Sequence, residues 1–255
     1  MNYSNTGSSR RAASTAPLEE PIRAELFSVE RLEQHAESLA AAQRVSEKVG
    51  AARRHAPRLH ANTKVLIATY RAIVNATRAH QPITPAAEWL LDNFHVVEEQ
   101  IREIKDDLPP SFYRMLPKLA DGPLAGYPRV FGVAWALVAH TDSAFDVLKL
   151  TRLVVAYQRV QPLTIGELWA IAITLRITLV EDLRRLIEIV VARLNDAERA
   201  EVIAGHILAE PGNSAPQSPD ALLPGTVSAT LITRLEQRLP GLDKRLVAHF
   251  RNWKK

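Results

Sequence analysis

The apolar residues Leu90, Phe94, Val97, Ile101, Ile104 and Leu108 follow one another at intervals of 4, 3, 4, 3 and 4. That spacing puts them on one stripe of an α-helix and admits no strand. The opposite side of the same stretch carries Asp92, Glu98, Glu99, Arg102, Glu103, Lys105 and Asp106. A helix with one buried seam and one wet face is therefore predicted. Pro109 and Pro110 end it, since neither can donate a backbone N–H and the first disfavours helix at Leu108. Ser111 to Leu119, with two aromatics and a further proline, is expected to be an ordered, packed connector.

The same period recurs along the chain. Leu32, Ala36, Leu39, Ala42 and Val45 predict a helix from Ser28, its N-cap, to about Val49, with Gly50 ending it. Leu66, Thr69, Tyr70, Ile73 and Ala76 predict another over about 62–80, after a solvated basic turn holding Arg53, Arg54, His55, Arg58, His60 and Lys64. Two shorter helices are expected over about 129–140 and 144–159, with Asp142 capping the second. A longer one runs to about Leu194, and Asn195-x-x-Glu198 reads as the capped start of a short helix ending near Ala209.

An internal echo joins two of these regions at an offset of 80 residues. Gln81-Pro82-Ile83-Thr84 leads into Glu88-Trp89, and Gln161-Pro162-Leu163-Thr164 leads into Glu167-Leu168-Trp169. Proline stops one helix and threonine caps the next; Thr164-x-x-Glu167 is a capping box, and Pro85 takes the favoured first helical position. The result is a repeated helical hairpin. Asp121 to Pro128, rich in glycine and proline, is a loop, and it lacks the spacing of a phosphate-cradling motif.

The whole reads as an all-α, irregular bundle of about eight helices. Residues 1–20 are expected to be disordered, 21–209 to form one helical domain, 210–226 a linker or exposed loop, and 227–255 a further helical segment. In that last segment Leu246, Val247, Phe250 and Trp253 make an apolar stripe. The chain has no cysteine, which rules out disulfides, thiolate metal sites and cysteine nucleophiles. No stretch has the make-up of a signal peptide. Leu168 to Val180 is the most hydrophobic run, but it has thirteen residues with Arg176 among them, against the roughly 20 that a membrane span needs. It is expected to be buried in protein.

The net charge of +4, from 32 basic and 28 acidic side chains, is compatible with an anionic surface as partner. The basic cluster near Pro57 lacks aromatic platforms, so no nucleic acid is expected. The carboxylates Glu98, Glu99, Glu103, Asp106 and Asp107 share one outer helix face with Arg102 and Lys105, the pattern of a solvated face rather than of an acid/base pair. His95 has no second histidine at metal-ligand spacing, and no G-x-S-x-G nucleophile turn occurs. No catalytic residue, metal ligand or resident cofactor is assigned. The residues that remain as candidate interface or ligand contacts are Asp92, His95, Glu98, Glu99, Arg102, Phe112 and Tyr113. Trp89, Tyr113, Tyr127, Trp135 and Trp169 are candidate carbohydrate platforms, but most sit at helix-seam spacing and core packing is the expected role for each.

Four long strings carry a resemblance: LEQHAESLAAAQ, DNFHVVEEQIREIKDDLPPSFYRMLPKL, LADGPLAGYPRVFGVAWALVAHTDS and AYQRVQPLTIGELWAIAITLRI. From about Leu32 to Leu194 the chain resembles the N-terminal region of bacterial cyclic β-1,2-glucan synthases. The resemblance implies a very large inner-membrane enzyme in which this region precedes membrane helices, a glycosyltransferase module using UDP-glucose and a divalent metal, and a phosphorylase-like module. Neither D-x-D nor Q-x-x-R-W, the expected transferase signatures, occurs in these 255 residues. The implied role is a non-catalytic scaffold or interface at the cytoplasmic face of the inner membrane, its partner the catalytic part of the synthase. The alternative is a stand-alone helical module that binds carbohydrate, such as glucan, or an anionic surface.

Overall fold

The computed structural model describes residues 20–46, 55–80, 83–209 and 228–238. The expected disorder of 1–20, save Glu20, the 210–226 linker and the stripe at 246–253 lie outside them. The described residues form eight helices: α1 (Val29–Ala42), α2 (His55–Arg78), α3 (Pro85–Asp107), α4 (Pro110–Met115), α5 (Arg129–Thr141), α6 (Val147–Val160), α7 (Ile165–Ala209) and α8 (Ala229–Arg238). Among the described residues there is no strand, only the isolated bridges Val45 to Leu119 and Lys118 to Pro128. The fold is all-α, as the periodicity predicts.

α5 is the centre. Eleven of its thirteen residues are buried, so it is apolar on nearly every side, as a helix enclosed by others must be. α7 is the spine, packing on α2, α3, α5 and α8, while α1 and α6 pair with each other. Its 45 residues make a rod about 68 Å long at 1.5 Å per residue. The α3 seam is as predicted: Leu90, Phe94, Val97, Ile101 and Ile104 are all buried.

Three buried polar knots fix the packing. Glu167, with 0% of its surface exposed, accepts two hydrogen bonds from Arg129 of α5, at 2.8 and 2.6 Å. The same carboxylate closes the predicted capping box with the Thr164 N–H at 2.9 Å, and the Glu167 N–H donates to Thr164 Oγ1 at 3.2 Å. Glu181 gathers Arg58 and Asn62 from α2 and Arg184 and Arg185 from its own helix. Asp182 accepts from the Ile22 N–H at 2.7 Å and from the Ser143 hydroxyl at 2.8 Å. Each knot ties α7 to a different part of the chain.

The structure departs from the sequence reading at five places. α1 stops at Ala42, because the Gln43 side chain is held by the Tyr157 hydroxyl and residues 44–46 extend to pair with 118–120. α2 is already helical at His55, its Pro57 sitting in the first turn where a missing N–H costs nothing. Arg58 is therefore no part of a solvated turn but a ligand of buried Glu181. Asp142 is the left-handed C-cap of α5, with φ 52°, and Asp146 caps α6 through Leu148 N–H at 2.8 Å. Finally, α7 does not break at Asn195. Ala200, Ile203 and Ala204 pack with Leu231, Ile232 and Leu235 in the α7–α8 contact, and Asp196 accepts the Ser228 hydroxyl, so tertiary contacts carry the helix through.

Candidate interaction surface

The α3 stripe that buries its apolar residues necessarily turns Asp92, His95, Glu98, Glu99 and Arg102 outward. All five are exposed. The Arg102 to Glu99 pair, at 3.7 Å, lies in solvent and contributes little. Further along, Glu103 and Asp107 receive Arg176 of α7, at 3.1 and 3.5 Å. That clamp aligns the C-terminal end of α3 with the apolar middle of α7, and it gives Arg176 its partners.

Beyond the clamp the double proline turns the chain into α4, where the two aromatic candidates part company. Tyr113 is 6% exposed and belongs to the core. Phe112 is half-buried and lies against Gly166, where a Cβ would sit 3.6 Å from its Cε2. Lys118 folds back beneath: its ammonium donates to the Tyr113 carbonyl and stands 4.1 Å from that ring's centroid. Burial pulls the Lys118 pKa down to about 8.

Next to this contact, the first turns of α7 expose Ile165 (74%), Leu168 and Trp169 (79%), with Ala172 completing an i, i+3, i+4, i+7 stripe. Met115, at the end of α4, is 74% exposed. Such a row would normally face a core. Here Thr164 and Glu167 dictate the phase of the helix, since Glu167 must face Arg129 inside, and the apolar row is thereby turned outward. The expectation that Trp169 and Trp89 pack in the core is corrected: Trp89 is 53% exposed, whereas Tyr127 is buried and Trp135 half-buried. Sequence spacing alone could not separate the two faces of α7, because both are apolar.

The buried charges are engaged with one another. Burial alone would raise the Glu181 carboxyl, but hydrogen bonds from Arg58 and Asn62, with the charges of Arg58 and Arg184, outweigh it and hold the pKa down to about 2. Burial raises the Tyr157 phenol to about 12. Among the described residues no group of three or more histidine, aspartate or glutamate side chains is placed to hold a metal ion. Among the same residues no helix is long and apolar enough to cross a membrane.

No family model matches the chain. Over 125 residues, 49% of its length, the chain is 46% identical to the cyclic beta-(1,2)-glucan synthase NdvB of Rhizobium meliloti (strain 1021). This bears out the resemblance read from the sequence strings. The matched stretch is 4% of that synthase, so the chain corresponds to only a small piece of its relative.

Proposed function

We propose, starting from that kinship, that this chain is a helical docking part of a cyclic β-1,2-glucan synthase, holding the catalytic part of the enzyme rather than transferring glucose itself. The observation that carries the proposal is the exposed apolar row Ile165, Leu168 and Trp169 on the first turns of α7. Contiguous apolar surface of this kind marks contact sites on soluble folds. The exposed α3 face, with Asp92, His95, Glu98, Glu99 and Arg102, has the polar make-up of an interface rim. UDP-glucose and its divalent metal are assigned to the rest of the synthase, and the site of action to the cytoplasmic face of the inner membrane.

Glucosyl transfer requires groups that bind a nucleoside diphosphate and a base for the acceptor hydroxyl. The buried carboxylates Glu167, Glu181 and Asp182 are each committed to fold contacts, and the exposed ones of α3 are dispersed along one helix face. The test is to incubate the purified chain with labelled UDP-glucose and Mg²⁺ or Mn²⁺, alone and with a synthase lacking its N-terminal region. The expected result is no glucan from the chain alone and higher glucan output from the mixture than from the shortened synthase. Glucan made by the chain alone would overturn the assignment.

A further inference from the structure

Residues 20–28 run as an extended strap over the C-terminal half of α5, tied by the Ala24 N–H to the Ala139 carbonyl at 3.0 Å and by the Ile22 N–H to Asp182. Beneath the strap lies a cavity of about 420 Å³, lined among others by His35, Gln43, Trp135, His140, Arg23 and Arg185. That is within the size range of small-molecule sites, roughly 300–1,000 Å³.

The cations of this cavity are taken. Arg185 donates to Glu181 and to the Glu20 carbonyl and stands 5.1 Å from the Trp135 ring centroid. Arg23 pairs with Asp142 at 3.0 Å, and His140 Nδ1 is bonded to the Glu25 carbonyl at 2.7 Å. The neutral groups are not. His35, the Gln43 amide nitrogen and the Trp135 indole N–H have no hydrogen-bond partner among the described residues. The His35 ring is nonetheless fixed, edge-on to Phe27 at 5.4 Å and to His140 at 4.6 Å. Burial and the neighbouring His140 lower its pKa.

The geometry points to a binding site for a neutral hydroxyl-rich ligand, a hexose unit, with hydroxyls bonded to His35, Gln43 and the Trp135 N–H. An uncharged ligand suits a cavity whose cations are already paired, and a sugar supplies both the donors and the acceptors that an imidazole, an amide and an indole require. The site is separate from the α7 row and does not depend on the docking reading.

The test is a titration of the full chain, ¹⁵N-labelled, with glucose, with a β-1,2-linked glucose disaccharide and with inorganic phosphate. The Trp135 indole signal is identified as the one lost in W135F. The expected result is movement of that signal with the disaccharide, weakened about fivefold in H35A and in Q43A through loss of one hydrogen bond each. Gly132→Ala gives a second route to the amide, since a Cβ there would collide with the Gln43 side chain; it should weaken binding with the helix content unchanged. No movement at Trp135, movement confined to other indoles, or a stronger response to phosphate would overturn the assignment. Trp169→Asp, which tests docking, should leave this titration unaltered.

Discussion

Glu181 concentrates more of the fold's electrostatics than any other described side chain. Its carboxylate is 1% exposed and faces Arg58, Arg184 and Arg185. Replacing it by glutamine leaves Arg58 and Arg185 without their carboxylate, while Arg184 keeps Glu188, and a loss of about 3 kcal/mol is expected in urea unfolding at pH 7. Because its pKa in the fold, about 2, lies below the ordinary 4.5, its stabilisation is complete above pH 4.5 and is lost as the pH falls toward 2. Unfolding curves of Glu181→Gln should therefore be flatter than wild type across that window; an equal slope would contradict the assignment. Lys118 gives a slope of the same sign in a higher window, although there it is the neutral form that the fold favours. Its pKa of about 8 lies below the ordinary 10.5, so the unfolded chain binds more protons between those values and stability rises with pH from 8 to 10.5. Lys118→Met should abolish that rise in the same assay.

Among the elements, α7 shows how far the sequence could be read. Its start was legible, because Thr164 and Glu167 supply their capping chemistry within four residues. Thr164→Ala is expected to cost about 1 kcal/mol as a lost cap. Glu167→Ala should cost about 3 kcal/mol or more by thermal or urea unfolding, since it also strands Arg129, 5% exposed, in the core. The continuation through Asn195 was not legible: Asn195 and Glu198 mimic a cap locally, and only the distant Ser228 and α8 decide against it. The same reason explains Asp142 and Asp146, both competent caps by type, between which the left-handed turn after α5 chooses. On α3 the seam and the outward row could be read directly, because one face is apolar and the other charged. The outward Trp169 could not, because the inner face of α7 is apolar too and the decision rests on Glu167 meeting Arg129.

At the scale of the molecule, α5 is enclosed by the α1–α6 pair on one side and α7 on another, and the strap ties the N-terminal end across it. The buried ion pairs serve that assembly, while the first turns of α7 carry exposed apolar side chains and α3 carries an exposed charged row. The most direct measurement is the affinity of the full chain for a synthase lacking its N-terminal region, compared with Trp169→Asp, Ile165→Asp and the double charge reversal Glu98→Lys with Glu99→Lys. All four side chains are exposed, so circular dichroism of the variants should match wild type. The expected result is loss of binding by at least about tenfold in Trp169→Asp and Ile165→Asp, about 1.4 kcal/mol or more each, with a smaller, salt-dependent loss on charge reversal. Wild-type affinity in the two apolar-face variants, or no binding by the unaltered chain, would contradict the docking role.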